Sequence, residues 1–143
     1  MHEFFVRGIP ATAGSKRAFP IHRKDGKLGV AVTADNKRSK PWMASIADQA
    51  AKEFNNPYQA GVAVALSMTF CLPRPTGQYK TNGELHKWAP AFPAKRPDLT
   101  KLVRCAEDAL KGIAWIDDSQ VVRASYEKVY GDSPGVRIEV TKG

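Results

Sequence analysis

Apolar residues recur along the chain at two spacings, and the alternating spacing predicts strands. The segment EFFVRGI alternates until a proline stops it, and residues 62–72 alternate loosely between a glycine and a proline, which favours a central strand. Asp25-Gly26 is a favoured two-residue turn between extended arms, so residues 19–33 predict a hairpin. Besides this hairpin, strands are predicted at residues 3–9, 62–72, 120–130 and 136–141.

Helical spacing appears in two other segments. In residues 41–54 an apolar residue recurs every four positions, and Ser39 can cap this helix. From Leu99 to Lys111 the apolar residues fall on one stripe, with Asp98 placed as the N-cap and Gly112 as the stop. Together these elements predict a single α+β domain, in which a mixed β-sheet carries two main helices.

The charge of the chain is basic but unevenly distributed. The 143 residues include 22 Lys and Arg against 14 Asp and Glu, a net charge of +8. Residues 1–97 carry the basic excess, because residues 98–143 hold eight acids against seven bases. A basic surface attracts polyanions, of which nucleic acid is the commonest. The alternative is a basic protein whose charge serves solubility alone.

Residues 73–97 form a long predicted loop that holds half of the ten prolines and is itself basic. A long basic loop inside a small domain is typical of a functional or mobile segment. Lys95 and Arg96 at the end of this loop are candidate phosphate contacts, as are Lys16 and Arg17 in a short N-terminal basic loop.

The cysteines and the apolar runs exclude several classes of protein. Cys71 and Cys105 lie in apolar surroundings and form no CxxC or Cys/His pair at zinc spacing, so both are expected to be reduced, buried and inert. The longest apolar run is too short to span a bilayer, and the N-terminus lacks the apolar region of a signal peptide. We therefore expect a soluble, cytoplasmic protein without a membrane partner.

Carboxylates gather in the stretch RPDLTKLVRCAEDALKGIAWIDDSQVV, residues 96–122, within an otherwise basic chain. Asp98 is either a helix cap or part of a site. Asp108 lies about 15 Å along the helix from Asp98, too far to share a metal pair whose ions stand about 4 Å apart. The segment after Gly112 can turn the chain back and bring Asp117 or Asp118 beside Asp98, and adjacent strand residues point to opposite faces.

Oxygen ligands without sulfur suit Mg²⁺ or Mn²⁺, which can bridge carboxylates to a phosphodiester and activate a water. Arg104, one turn beyond Thr100, can stabilise extra transition-state charge or can be a solvated surface residue. Other chemistries lack their motifs, since the sequence contains no GxSxG elbow, P-loop or GxGxxG.

The same stretch resembles the signature of the RusA-type Holliday junction resolvases of bacteria and their phages. That signature runs approximately (R/K)-P-D-(L/I/V)-D-(N/K)-L, then a basic residue, D-A-L and D-D-x-Q-V. The match is specific over about residues 95–123 and extends weakly to VRGIPATAGSKR and PGVRIEV. The resemblance implies a single RusA-like nuclease domain over residues 1–143, acting as a homodimeric, Mg²⁺-dependent endonuclease that cuts four-way DNA junctions.

Carried over residue by residue, the resemblance assigns roles. Asp98 matches the first catalytic aspartate, and Asp118 matches the aspartate of the double-acid step, with Asp117 as its neighbour. Arg104 falls where the family carries a catalytically important lysine. Two positions depart from the pattern: Thr100 replaces the second aspartate, and Lys101 replaces the following asparagine and is a candidate DNA contact.

Three hypotheses follow. The first is an endonuclease that resolves Holliday junctions by hydrolysis of a phosphodiester. The second is a branched-DNA-binding protein with weak or lost catalysis, because a threonine hydroxyl at position 100 is a neutral and weaker ligand. The third, a general basic RNA- or DNA-binding domain, explains the charge but not the clustered acids.

Overall fold

The computed structural model describes the backbone and side chains of residues 1–13 and 37–143, and the backbone alone of residues 16–22 and 28–34. The strands are β1 (His2–Arg7), β2 (Lys16–His22), β3 (Leu28–Ala34), β4 (Val64–Leu72), β5 (Val121–Tyr130) and β6 (Gly135–Lys142). The helices are α1 (Ser39–Glu53) and α2 (Leu99–Leu110). The predicted α+β class is confirmed.

The main sheet has the strand order β1-β6-β4-β5 and is mixed, as predicted. Strand β6 pairs antiparallel with both β1 and β4, whereas β4 and β5 are parallel. Strand β4 is therefore central. Strands β2 and β3 form the predicted hairpin as a separate two-stranded sheet, and its Asp25-Gly26 turn lies outside the described residues.

The core lies on one face of the main sheet, under both helices. Alternate residues of β4 are buried from Val64 to Leu72, as the period of a half-covered strand requires. Helix α1 packs beside α2, with α1 over β1 and α2 over β5. The apolar stripe of α2 supplies Leu102, Cys105 and Leu110 to this core, all fully buried.

The first helix begins one residue earlier than an N-cap at Ser39 predicts. Arg38 is at the N-cap, so Ser39 is the first helical residue and not the cap. The first α-helical hydrogen bond runs from the Trp42 amide to the Arg38 carbonyl. Pro41 consequently lies in the first turn, where no backbone donor is needed.

The second helix begins and ends as the sequence predicts, to within one residue. Asp98 is its N-cap, in extended conformation, and the helix stops at Leu110 with Lys111 as the C-cap. Gly112 follows with a φ of 86°, a left-handed conformation that glycine adopts without steric cost.

The two cysteines differ in exposure. Cys105 is buried, and burial together with the nearby charge of Asp108 raises its thiol pKa to about 11, which keeps it protonated. Cys71, expected to be buried, is partly exposed on the open face of the sheet, and both thiols are free. No helix in the described ranges is long and apolar enough to cross a membrane.

Candidate functional site

The connection from β4 to β5 carries every acidic site candidate. Parallel strands require a crossover, because the chain must return to the end at which the first strand began. Residues 73–120 make this crossover and contain the proline-rich loop, α2 and the segment with Asp117 and Asp118. The crossover from the central strand β4 to the edge strand β5 therefore places the site candidates along one side of the sheet.

Asp98 holds the N-cap position of α2 without using its side chain as a cap. Within residues 37–143, no helix amide donates to its carboxylate. The side chain is 58% exposed, and its nearest cation is the Lys101 ammonium, with 3.9 Å between Nζ and Oδ2. An exposed pair at this distance contributes little to stability. The carboxylate is thus free of the structural task that a cap would give it.

The backbone just before Asp98 is held by strand β5. The Lys128 Nζ donates to the carbonyl of Lys95 at 2.6 Å and to that of Pro97 at 2.8 Å. A cation bound to two carbonyls fixes the direction in which the loop enters α2. The placement of the Asp98 carboxylate therefore depends on a residue thirty positions later in the chain.

Asp117 and Asp118 form a short acidic turn after α2, and different donors hold their carboxylates. Asp117 caps the 3₁₀ turn Asp118–Gln120, because its Oδ1 accepts from the Ser119 amide at 2.9 Å. This hydrogen bond lowers the pKa of Asp117 below its usual value. The Oδ1 of Asp118 accepts instead from the indole Nε1 of the buried Trp115, at 2.9 Å.

Gln120 fixes the acidic turn to the rest of the fold. This buried side chain accepts at Oε1 from the amides of Ile116 and Asp117. Its Nε2 donates to the carbonyls of Tyr58, Gln59 and Val62, which precede β4. Because the hydrogen bonds of one buried amide reach five backbone groups, the turn is held in a fixed position relative to the sheet.

The two acidic groups lie at opposite ends of α2. The helix has 12 residues and is therefore about 18 Å long. The turn stays at its C-terminal end, where the Gly112 amide donates to the Trp115 carbonyl. Strand β5 then runs back along α2, since Tyr126 contacts Glu107 and Lys128 reaches Pro97. One chain therefore does not bring Asp98 beside Asp117 or Asp118.

The described side chains form no metal-ligand cluster, as this separation requires. In the part of the chain whose side chains are described, no group of three or more His, Cys, Asp or Glu side chains is arranged to hold a metal ion. Thr100, at the second position of α2, is exposed and adds only a neutral hydroxyl near Asp98.

Cations lie on the Asp98 side of the molecule. Lys95 and Arg96 line a cleft of about 280 Å³ together with Arg38, which the sequence analysis did not single out. Its apolar wall consists of prolines, Ile9, Leu72 and Tyr130. Arg104 is exposed on α2, one turn beyond Thr100. The side chains of Lys16 and Arg17, at the start of β2, lie outside the described residues.

Comparison with known proteins shows the family. The sequence profile of the family described as Endodeoxyribonuclease RusA matches residues 13–141. The chain belongs to the RusA endodeoxyribonuclease family. It is also similar to a Bacillus subtilis (strain 168) protein named Uncharacterized protein YqaN, with 28% identity over 140 residues, which cover 96% of this chain and 94% of the relative.

The RusA family match reaches both ends of α2 and all of β5, so the resemblance found in the sequence is confirmed at the level of the family. Sequence reasoning missed three supporting residues: Trp115, Gln120 and Lys128. Gln120 had a signal, since the family pattern D-D-x-Q-V contains it. Trp115 and Lys128 had none, because their partners are a neighbouring carboxylate and backbone carbonyls that no motif records.

Proposed function

We propose that this protein is a divalent-metal-dependent endonuclease that cuts four-way DNA junctions by hydrolysis of a phosphodiester. Membership of the RusA endodeoxyribonuclease family supports the class of reaction. The observation that carries the proposal to particular residues is the Asp98 carboxylate, which sits at a helix N-cap, is exposed and does not cap the helix.

The donor chemistry fits a hard cation. Asp98 and Asp118 offer carboxylate oxygens, and Asp117 is the neighbouring alternative, while neither thiol lies in this set. Asp118 is the better ligand of the adjacent pair, because the Trp115 indole orients its carboxylate as an outer-shell donor does at known metal sites. Asp117 already has a structural task as the cap of the 3₁₀ turn.

A bound Mg²⁺ or Mn²⁺ supplies neutralisation of phosphate charge and activation of the attacking water. The protein's own groups bind and orient the DNA around it. Lys95, Arg96 and Lys101 attract phosphates next to Asp98, with Lys16 and Arg17 as further proposed contacts. Arg104 is proposed to stabilise the charge that develops on the phosphate, because its guanidinium is a planar multiple donor that lies on the exposed face of α2.

The separation of the two acidic groups supports a homodimer. Asp98 and Asp118 lie at opposite ends of an 18 Å helix within one chain, so a site that contains both takes them from two chains. A two-fold dimer joined in this way has two such sites, related by the symmetry that paired cuts in a junction require. Dimerisation is then a condition for metal binding as well as for paired cleavage.

One observation favours a second candidate, a branched-DNA-binding protein with weak or lost catalysis. Thr100 is exposed at the second position of α2, where its neutral hydroxyl gives a metal weaker support than a carboxylate. In this case the cations around the cleft retain their role, and the acids lose theirs.

Cleavage of a labelled four-way junction separates the two candidates. The protein is incubated with the junction and with a linear duplex of equal length, in Mg²⁺, in Mn²⁺ and in chelator. The endonuclease predicts metal-dependent cuts in the junction and few in the duplex. Selective binding to the junction without cuts in either metal would establish the binding protein instead.

A further inference from the structure

The proline-rich loop presents four large apolar side chains to solvent, three of them aromatic. Tyr79, Leu85, Trp88 and Phe92 are all exposed, and Trp88 and Phe92 are the most exposed of these four, at 64% and 62%. Exposed Tyr and Trp side chains are enriched at contact sites, because their rings are apolar and carry a polar group.

The base of the loop is fixed against β5. The Arg74 guanidinium lies 4.4 Å above the Tyr130 ring and donates to the Gln78 amide oxygen at 2.9 Å. The same guanidinium donates to the carbonyl of Pro90 at 2.7 Å, two residues beyond Trp88. The loop is thus tied down on both sides of Trp88, which reduces the entropy lost when it binds a ligand.

Trp88 itself is positioned by its neighbours. The His86 ring stacks on the indole with 5.1 Å between centroids and an interplanar angle of 16°. The His86 amide donates to the Gln78 carbonyl, and the Ala89 amide donates to the His86 carbonyl. One face of the indole therefore has an aromatic partner of its own, while most of the side chain stays open to solvent.

The charge of the loop that carries these rings indicates the class of ligand. The loop carries five cations, Arg74, Lys80, Lys87, Lys95 and Arg96, against the single acid Glu84. Aromatic rings among cations are the arrangement by which proteins bind single-stranded nucleic acid, since the bases stack and the phosphates pair with Lys and Arg. An acidic peptide would satisfy the charges but has no need of a flat open ring.

We propose that Trp88 is a stacking platform for an unpaired nucleobase, exposed where strands exchange in a branched DNA. The inference rests on the proposed action on DNA and adds a contact outside the acidic site. The loop continues through Lys95 and Arg96 directly into Asp98, and we place the base held at Trp88 on the strand whose phosphates meet these two cations.

Intrinsic fluorescence tests this contact with little interference. Of the three tryptophans, Trp42 and Trp115 are 5% and 0% exposed, so a DNA-induced change in emission reports Trp88. We expect emission to fall when oligothymidylate or a four-way junction binds, and to fall less with a blunt duplex. Binding is followed in parallel by the anisotropy of labelled DNA, in chelator.

Matched variants separate stacking from charge. Trp88→Ala is expected to weaken junction and oligothymidylate binding about tenfold, while Trp88→Phe retains most of the affinity. Lys87→Gln, the adjacent exposed residue, is expected to keep the quenching and to reduce the salt slope of log K by about one. Thermal melting of each variant checks that it is folded.

Three outcomes would overturn the platform: emission unchanged while anisotropy shows bound DNA, wild-type affinity in a folded Trp88→Ala, or equal quenching by a blunt duplex. These outcomes differ from a failure of the proposed function. Quenching by oligothymidylate without selective binding or cleavage of junctions would uphold the platform and reject the junction endonuclease. Junction cleavage with unchanged emission would uphold the junction endonuclease and reject the platform.

Discussion

The Nζ of Lys128 lies 2.8 Å from the carbonyl oxygen of Pro97, the residue before Asp98. Strand β5 therefore holds the start of α2 through a cation bound to backbone, and not through a contact with the carboxylate itself. This relationship makes Lys128 a positioning residue for the proposed metal ligand.

Replacing Lys128 by methionine keeps the aliphatic stem and removes both hydrogen bonds. We expect the two bonds from this charged donor together to contribute about 2 kcal/mol to the free energy of unfolding. Their loss should lower the melting temperature by about 5 °C. Junction cleavage should fall more at limiting Mg²⁺ than at saturation, because the ligand is displaced. Lys142→Met, at the exposed end of β6, is the control. If cleavage depends on Mg²⁺ concentration equally in wild type and Lys128→Met, the Lys128 hydrogen bonds serve stability alone.

The acidic turn has a pH dependence of its own. The Ser119 amide lowers the folded pKa of Asp117 below the ordinary value of 3.8. A lowered folded pKa means that the ionised group stabilises the fold fully above the unfolded value and loses this effect as pH falls through the folded value. The Asp117→Asn variant keeps an acceptor but no charge.

We therefore expect Asp117→Asn to melt below wild type at neutral pH, with the difference closing below about pH 4. Asp117→Ala, which also loses the cap, should melt lower still. Melting curves across pH 2.5–7, a range chosen to span the usual aspartate titration, measure both. If the difference in melting temperature between wild type and Asp117→Asn stays constant over this range, the charge of Asp117 does not stabilise the fold.

Much of α2 could be predicted from the sequence because its signals are local. The apolar stripe, the N-cap at Asp98 and the stop at Gly112 all act within a few residues. The position of the acidic turn could not be predicted, because Gln120 fixes it to carbonyls of residues 58–62, some sixty positions away. The segment after Gly112 was predicted to turn back and bring Asp118 beside Asp98. These long-range hydrogen bonds hold it instead at the C-terminal end of the helix.

The basic end of the loop should govern the electrostatic part of DNA binding. Each neutralised phosphate contributes about −0.9 to the slope of log K against log salt for duplex DNA. Substituting both Lys95 and Arg96, which line the cleft before Asp98, with alanine should flatten the slope by about one to two. Titrations at four salt concentrations measure it, and an unchanged slope would place this cleft away from DNA.

Thr100 offers a gain-of-function test of the metal site. An aspartate here lies about 3 Å along the axis from Asp98, and a negative charge in the first turn is favourable for the helix by about 0.3–1 kcal/mol. We expect Thr100→Asp to bind Mg²⁺ more tightly and to cleave faster at limiting metal. Added Mg²⁺ should also raise its melting temperature more than that of wild type. Thr100→Asn, isosteric with the aspartate but uncharged, should show much smaller gains.

The most direct test of the whole account is nicking of a labelled four-way junction by a mixture of two inactive variants, Asp98→Asn and Asp118→Asn. Each alone should bind the junction and leave it uncut, since each loses a ligand in both sites of its dimer. After the two are mixed and allowed to exchange, half of the dimers are mixed, and each mixed dimer has one site with both aspartates. Nicking should therefore return to about a quarter of the wild-type rate. A mixture that stays inactive although the chains exchange, or either variant cutting alone at the wild-type rate in Mg²⁺, would contradict a metal site built from both ends of α2.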